Sequence, residues 1–213
     1  VASSILPVSR VPRGPRAGGS VSVGPGDLRI VGMGFIRLSS GFSYLGFLSW
    51  STYYVVHVLG VPPSVSGFYA FLSSIMGSVG AVVGGYVGDR LGYALPSVLS
   101  SLLLAVIVSV VSRVSIIYLL ATLMLSLGFL YGFYAAPSIA ISRLTPNIGS
   151  TSGFLNFMSQ LGGSISPYVI GLLLQHYDFP ETLMIIGATS ILLVIIGAVL
   201  LFYGRSLNEV HGQ

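Results

Sequence analysis

Six apolar stretches, each close to the length that crosses a lipid bilayer, fill the chain between residues 38 and 203. They run roughly over 38–58, 65–88, 94–112, 115–141, 151–175 and 182–203. A helix needs about 20 mainly apolar residues to span the hydrocarbon core, and a water-soluble core rarely uses runs that long. Charge is correspondingly scarce: 7% of residues are Asp, Glu, Lys or Arg, against 54% hydrophobic. A soluble domain carries about 25% charged residues, so this surface is not built to face water. The expected fold is an all-α polytopic membrane protein with six transmembrane helices.

The breaks between the stretches are short: VPPS at 61–64, DRLGY at 89–93, SRVS at 112–115, RLTPN at 143–147 and HYDFPE at 176–181. Short connections force neighbouring helices to run antiparallel. Orientation follows from the bases, all nine of which are arginine. With the N-terminus inside, Arg10, Arg13, Arg16, Arg29, Arg37, Arg90, Arg143 and Arg205 are cytoplasmic and only Arg113 is outside. That is the arrangement the positive-inside rule favours, with both termini cytoplasmic and Asp178 and Glu181 in an outer loop.

Residues 1–36 are rich in Pro, Gly, Ser and Arg, hold no spanning run, and read as a flexible cytoplasmic segment. The six-helix domain is expected over 37–205, with 206–213 as a cytoplasmic tail. The chain has no cysteine, and His57, His176 and His211 are scattered. Neither a metal-ligand cluster nor a nucleophile–base–acid set is apparent, so no enzyme activity, metal or cofactor is expected. The arginines are spread along loops rather than gathered on one face, which argues against nucleic acid.

Within the apolar stretches the small and polar residues are patterned. In the second, Ser73, Gly77, Ala81 and Gly85 fall four apart beside a parallel row of Gly80, Gly84 and Gly88. Such rows let helices approach closely in lipid, either as fixed packing or as a surface for sliding. In the fifth, Gly153, Asn156, Gln160, Gly163, Pro167 and Gly171 fall within about 80° on a helical wheel. Two amides on such a face serve either as polar glue between helices or as the lining of a pathway. The third and sixth carry hydroxyls but no amide and read as lipid-facing struts. Each group of three thus ends in a bland helix, which suggests a 3+3 internal repeat.

GGYVGDRLGY, residues 84–93, resembles the G-x-x-x-D-R-x-G-R signature of the major facilitator superfamily. Gly85, Asp89, Arg90 and Gly92 match, and Tyr93 stands where the signature ends in a base. The resemblance implies a secondary transporter, with this loop latching two six-helix halves on the cytoplasmic side. The residues themselves suggest a sharp reversal at Gly88 and Gly92, Asp89 capping the third helix, and Arg90 reaching carbonyls or an acid. The run Asn156, Gly162, Gly163, Pro167, Gly171 is similar to the eleventh helix of the family, and the fourth span has no internal arginine. The chain therefore reads as a C-terminal half, with 1–36 a remnant of the central loop. The same run leans toward the anion:cation symporter branch, whose members move organic carboxylates.

The resemblance also implies that spans one, two, four and five line the solute path. Candidate lining residues are Tyr44, Trp50, Tyr53, Tyr54 and His57 on the first, Tyr131 and Tyr134 on the fourth, and Asn156, Gln160 and Tyr168 on the fifth. Tyr53, Tyr54 and His57 also suit an interfacial aromatic belt. No Asp or Glu lies within a span, so a coupling acid would have to come from another half, or His57 would take part. Expected partners are the lipid bilayer, a small solute of which an organic anion is the leading class, and either a missing N-terminal half or a second copy of the chain. A plasma-membrane location follows. A homodimeric six-helix transporter subunit and a non-transporting scaffold or receptor are the alternative readings.

Overall fold

The computed structural model describes residues 27–111, 113 and 117–211, and among them there are six long α-helices and no strand. The helices are α1 (Leu28–Tyr53), α2 (Pro63–Leu91), α3 (Ala94–Val111), α4 (Ile117–Ala140), α5 (Ile148–Leu173) and α6 (Phe179–His211). A π-helical turn over Tyr54–Val58 follows α1, and a 3-10 turn over Ile141–Leu144 follows α4.

The ends have local causes. Helix α1 starts at Leu28, well before the boundary at 36 read from composition. The Asp27 carboxylate caps it, accepting the Arg29 backbone N–H at 2.8 Å. Behind that cap, Met33 and Ile36 are fully buried, so this stretch belongs to the core. Residues 1–26 of the expected flexible segment lie outside the described residues. Pro63 opens α2, where its missing N–H costs nothing. Gly92, at φ +79°, turns the chain from α2 into α3. At the other end α6 continues through the expected tail to His211, because nothing between Ser206 and Val210 breaks a helix.

Four helical segments are long and apolar enough to cross a membrane: Pro63–Leu91, Ala94–Val111, Leu120–Leu144 and Phe179–Ser206. Helices α1 and α5 have 26 residues each, which is about 39 Å of helix and long enough to span. They are too polar to qualify by hydropathy, α1 because of Arg29, Arg37 and its serines, α5 because of its glycines, serines and amides. The reason is position. Hydropathy measures transfer to lipid, whereas α1 lies against α5, α6 and α3 and buries its polar side chains in protein.

Packing follows a repeated scheme. Helix α2 lies on α4 and α5 lies on α1, while α1 lies on α6 and α4 on α3. Moving three helices along the chain converts the first member of each pairing into the second. The struts α3 and α6 pack against each other between the two groups. Their outer faces carry Leu95, Leu99 and Leu103, and Leu192, Ile195 and Val199, all exposed. Exposed apolar rows of this extent are lipid-facing surface.

Glycines set the close pairings. A methyl on Gly80 or Gly84 of α2 would run into the backbone carbonyl of Phe129 or Phe133 on α4. In return, a methyl on Gly128 or Gly132 would meet the backbone of Ser73 or Gly77. Helices α1 and α5 do the same through Gly41 on the Ser159 backbone and Gly162 on the Leu38 backbone. The α2 contact row is therefore Ser73, Gly77, Gly80, Gly84 and Gly88. Gly85 lies beside it, where a methyl would come no closer than 3.8 Å to the Ala136 Cβ.

Candidate functional site

Helix α1 carries Arg37 and Tyr44 seven residues apart, hence on one face, and that face meets α4 and α5. Arg37 is only 4% exposed. Its Nε donates to the Leu155 carbonyl at 2.8 Å. Nη1 donates to the Ser138 Oγ at 2.6 Å and the Ala135 carbonyl at 3.3 Å. Nη2 donates to the Asn156 Oδ1 at 2.7 Å. The guanidinium carbon stands 5.5 Å from the centre of the Tyr134 ring, a cation–π contact.

Every one of these partners is neutral. Among the described residues the ion pairs are Arg29–Asp27 and Arg143–Asp89, and no carboxylate is paired with Arg37. A buried charge is costly unless paired, and here hydrogen bonds and a ring face stand in for a counter-ion.

A tyrosine ladder leads away from it. Tyr134 is fully buried, and its hydroxyl shares a hydrogen bond with the Ser159 Oγ at 3.0 Å. The Tyr131 hydroxyl reaches the same Oγ at 3.4 Å. Tyr131 in turn stacks on Tyr44, with ring centres 4.4 Å apart and planes at 22°. Tyr44 closes the series on the Ser73 Oγ at 3.2 Å, and Ser73 donates to the Met124 carbonyl at 2.8 Å. One polar seam thus joins α1, α2, α4 and α5 inside the bundle.

Of the residues picked out in the sequence, Tyr44, Tyr131, Tyr134 and Asn156 converge here. Trp50 is half-buried and donates its Nε1–H to the Pro167 carbonyl at 3.1 Å, tying α1 to α5 near its other end. Tyr53 packs edge-on against Trp50 and lies 4.7 Å from the His57 ring, making an exposed aromatic edge. Tyr54 does not join that edge. It sits on the side of the helix that buries Phe47 and Ser51, and it stacks on Phe179 of α6 at 4.5 Å. Gln160 and Tyr168 point out of the bundle from α5, Tyr168 with 70% of its surface exposed.

The signature loop differs from expectation in two ways. Asp89 does not cap α3, because α2 continues to Leu91 and leaves Asp89 in its own last turn. There its carboxylate lies 3.8 Å from Arg143, beyond the end of α4, with both side chains more than 70% exposed. Gly88 is likewise helical and seats against Pro137, so Gly92 alone makes the reversal. Arg90 lies over the Tyr86 ring at 4.4 Å rather than on carbonyls or an acid.

Sequence reasoning missed Arg37 by assigning it to the cytoplasmic loop bases. Two signals pointed to it: its i, i+7 register with Tyr44, and Asp27 as a helix cap upstream. Ser138 and Ser159 were missed as well, since hydroxyls are common in every span, and Ser73 was read only as a small packing residue. No group of His, Cys, Asp and Glu suited to a metal occurs among the described residues.

The geometry agrees with the comparisons. No curated protein matches the chain. A family model described as Major Facilitator Superfamily matches residues 30–212, a stretch that begins inside α1 and takes in the buried arginine, the tyrosine ladder and the signature loop. The chain belongs to the Major Facilitator Superfamily, a family of membrane transporters.

Proposed function

We propose that this protein is a secondary transporter for a small organic anion, working by alternating access. The observation that carries this reading is Arg37, a buried cation held by neutral partners alone among the described residues. An arriving carboxylate would supply the missing countercharge at Nη2, the guanidinium nitrogen that holds only the Asn156 amide oxygen. Asn156 is exposed and already holds Nη2, so it forms the approach to Arg37 from outside the bundle. Tyr134, Tyr131 and Tyr44 continue the polar lining inward, Gln160 extends the approach on α5, and Trp50, Tyr53 and His57 form its aromatic rim.

The bilayer-spanning set is all six helices, with α1 and α5 shielded from lipid. Both termini are cytoplasmic and the membrane is the plasma membrane, following the arginines at the end where α2, α4 and α6 finish. The outer faces of α2 and α5 expose Phe68, Phe71 and Val82, and Phe157 and Tyr168. A second six-helix unit covers them, either another half or a second copy of this chain, and the Asp89–Arg143 pair latches that contact. The full chain reconstituted with its native partner in proteoliposomes tests the reading. Labelled organic carboxylates are expected to enter against a panel of sugars and amines that do not; uptake confined to neutral or cationic solutes would remove the basis for the anion assignment.

A further inference from the structure

Arg37 has one donor left to give. A guanidinium carries five N–H groups and no acceptor. Among the described residues the bonds to Leu155, Ala135, Ser138 and Asn156 engage four of them, one on Nε, two on Nη1 and one on Nη2. The fifth is on Nη2, in a side chain only 4% exposed, where an idle donor is costly.

The four partners differ in kind. Leu155 and Ala135 offer backbone carbonyls inside α5 and α4. Ser138 is fully buried and donates to the Ala135 carbonyl at 2.9 Å. Asn156 alone is exposed. Because Arg37 can only donate, the amide must turn its Oδ1 to Nη2, and both Nδ2 hydrogens are left over on the same planar group. Among the described residues neither has a partner.

Space lies on that side as well. Gly153 and Gly149 precede Asn156 by three and seven residues, on the same face of α5. A methyl on either would meet nothing within 4 Å. An open lane along α5 thus ends at Asn156, with the idle donor of Arg37 behind it.

We propose that Asn156 is a second ligand for the solute's carboxylate. One Nδ2–H donates to one carboxylate oxygen and the idle Nη2–H of Arg37 donates to the other, so the anion bridges the two side chains. The assignment rests on the organic-anion reading above and names the group that selects a planar, two-oxygen anion. Displacing the amide instead would give up a bond to a buried cation, whereas bridging keeps all four bonds and adds two.

Binding of acetate, benzoate and succinate to the purified full chain, read from the shift in melting midpoint, tests the assignment. Asn156→Ala is expected to bind the best of the three about tenfold more weakly, the loss of one hydrogen bond to a charged group. Gly153→Leu, which fills the lane without touching Arg37, should weaken binding too. Gly67→Leu on α2, an equally open glycine, should leave it unchanged. Labelling the three asparagines with nitrogen-15 separates direct contact from positioning through Arg37. The side-chain amide signal that disappears in Asn156→Ala should move downfield when the carboxylate is added to the wild type. Unchanged or tighter binding by Asn156→Ala or Gly153→Leu, or an Asn156 amide signal that stays in place, would overturn the proposal. Binding lost in Arg37→Gln but kept in Asn156→Ala would spare the anion reading and remove this assignment alone. No shift with any of the three anions in the wild type would remove both.

Discussion

Gly84 and Gly85 are neighbours on α2, and the structure gives them opposite fates on substitution by alanine. Both are helical, so both gain roughly 0.5–1 kcal/mol from the lower backbone entropy of alanine. A methyl at Gly85 meets only the Ala136 Cβ, at 3.8 Å, which is ordinary contact. A methyl at Gly84 lies 2.7 Å from the carbonyl carbon and 2.8 Å from the Cα of Phe133, with the carbonyl oxygen closer still. Carbon atoms settle at about 3.5–4.0 Å, and these are backbone atoms that no rotamer change can move. Relief requires α2 and α4 to separate by about 1 Å along a seam that also holds Gly80, Gly128 and Gly132. Overpacking of this kind costs about 1–3 kcal/mol.

The propensity gain cancels between the two variants, so Gly84→Ala should be less stable than Gly85→Ala by about 1–3 kcal/mol. At this chain length each kcal/mol moves the midpoint by about 2–4 °C, which places the two melting curves roughly 2–12 °C apart. Thermal unfolding of both variants in one detergent, followed by the near-ultraviolet signal of the tyrosines, reads the difference. Coincident curves would refute the claim that glycine-mediated backbone contact holds α2 on α4.

Other outcomes follow from the polar seam and its surroundings. Ser159→Ala removes the partner of two tyrosine hydroxyls and should lower stability by about 1–3 kcal/mol, seen as a lower melting midpoint. Ser166 is also buried on α5 but has no partner for its hydroxyl among the described residues, so Ser166→Ala should leave the midpoint unchanged or raise it. Tyr54→Ala removes a ring stacked in the core and should cost about 3–5 kcal/mol, whereas Tyr53→Ala, half exposed, should cost far less in the same assay. Asp89→Asn breaks an exposed pair and should move the midpoint by no more than about 1 kcal/mol equivalent, while the transport rate in proteoliposomes changes if the pair latches the cytoplasmic face.

Much of the fold was legible because lipid leaves helices few options. Long apolar runs, short breaks and the glycine rows of α2 all appear in the structure, although the row that makes contact mixes spacings of three and four. The start of α1 was obscured because composition was read in blocks. The last Pro–Gly run ends at Gly26, and the single residue that caps the helix is Asp27. The spans over α1 and α5 are the least apolar of the six, α1 because its polar side chains are buried against α5, α6 and α3, and α5 because its glycines, serines and amides lower its mean hydropathy. Four of the pathway candidates converge because tyrosines and an amide on facing helices met where glycines let the backbones close. Tyr54 did not, because a helical wheel places residues on a face without saying which neighbour covers its edge. Arg37 was hidden by the rule that makes arginines into topology markers. That rule holds for loop bases and not for one that enters a bundle with its hydrogen bonds already met.

The central claim is that Arg37 waits for an anion, and titration of purified chains with an organic carboxylate tests it most directly. The wild-type protein, Arg37→Gln and Arg37→Lys are compared by the shift in melting midpoint that the ligand produces. Arg37→Gln relieves a buried charge but also removes four hydrogen bonds and a contact with the Tyr134 ring, so the unliganded protein should lose about 1–3 kcal/mol, which the comparison of midpoint shifts with ligand factors out. Its affinity for the carboxylate should fall by about 30-fold or more, the loss typical of truncating one member of a buried charge pair, and Arg37→Lys should fall in between. If Arg37→Gln instead binds the carboxylate as the wild type does, Arg37 is a structural strut and the anion assignment fails.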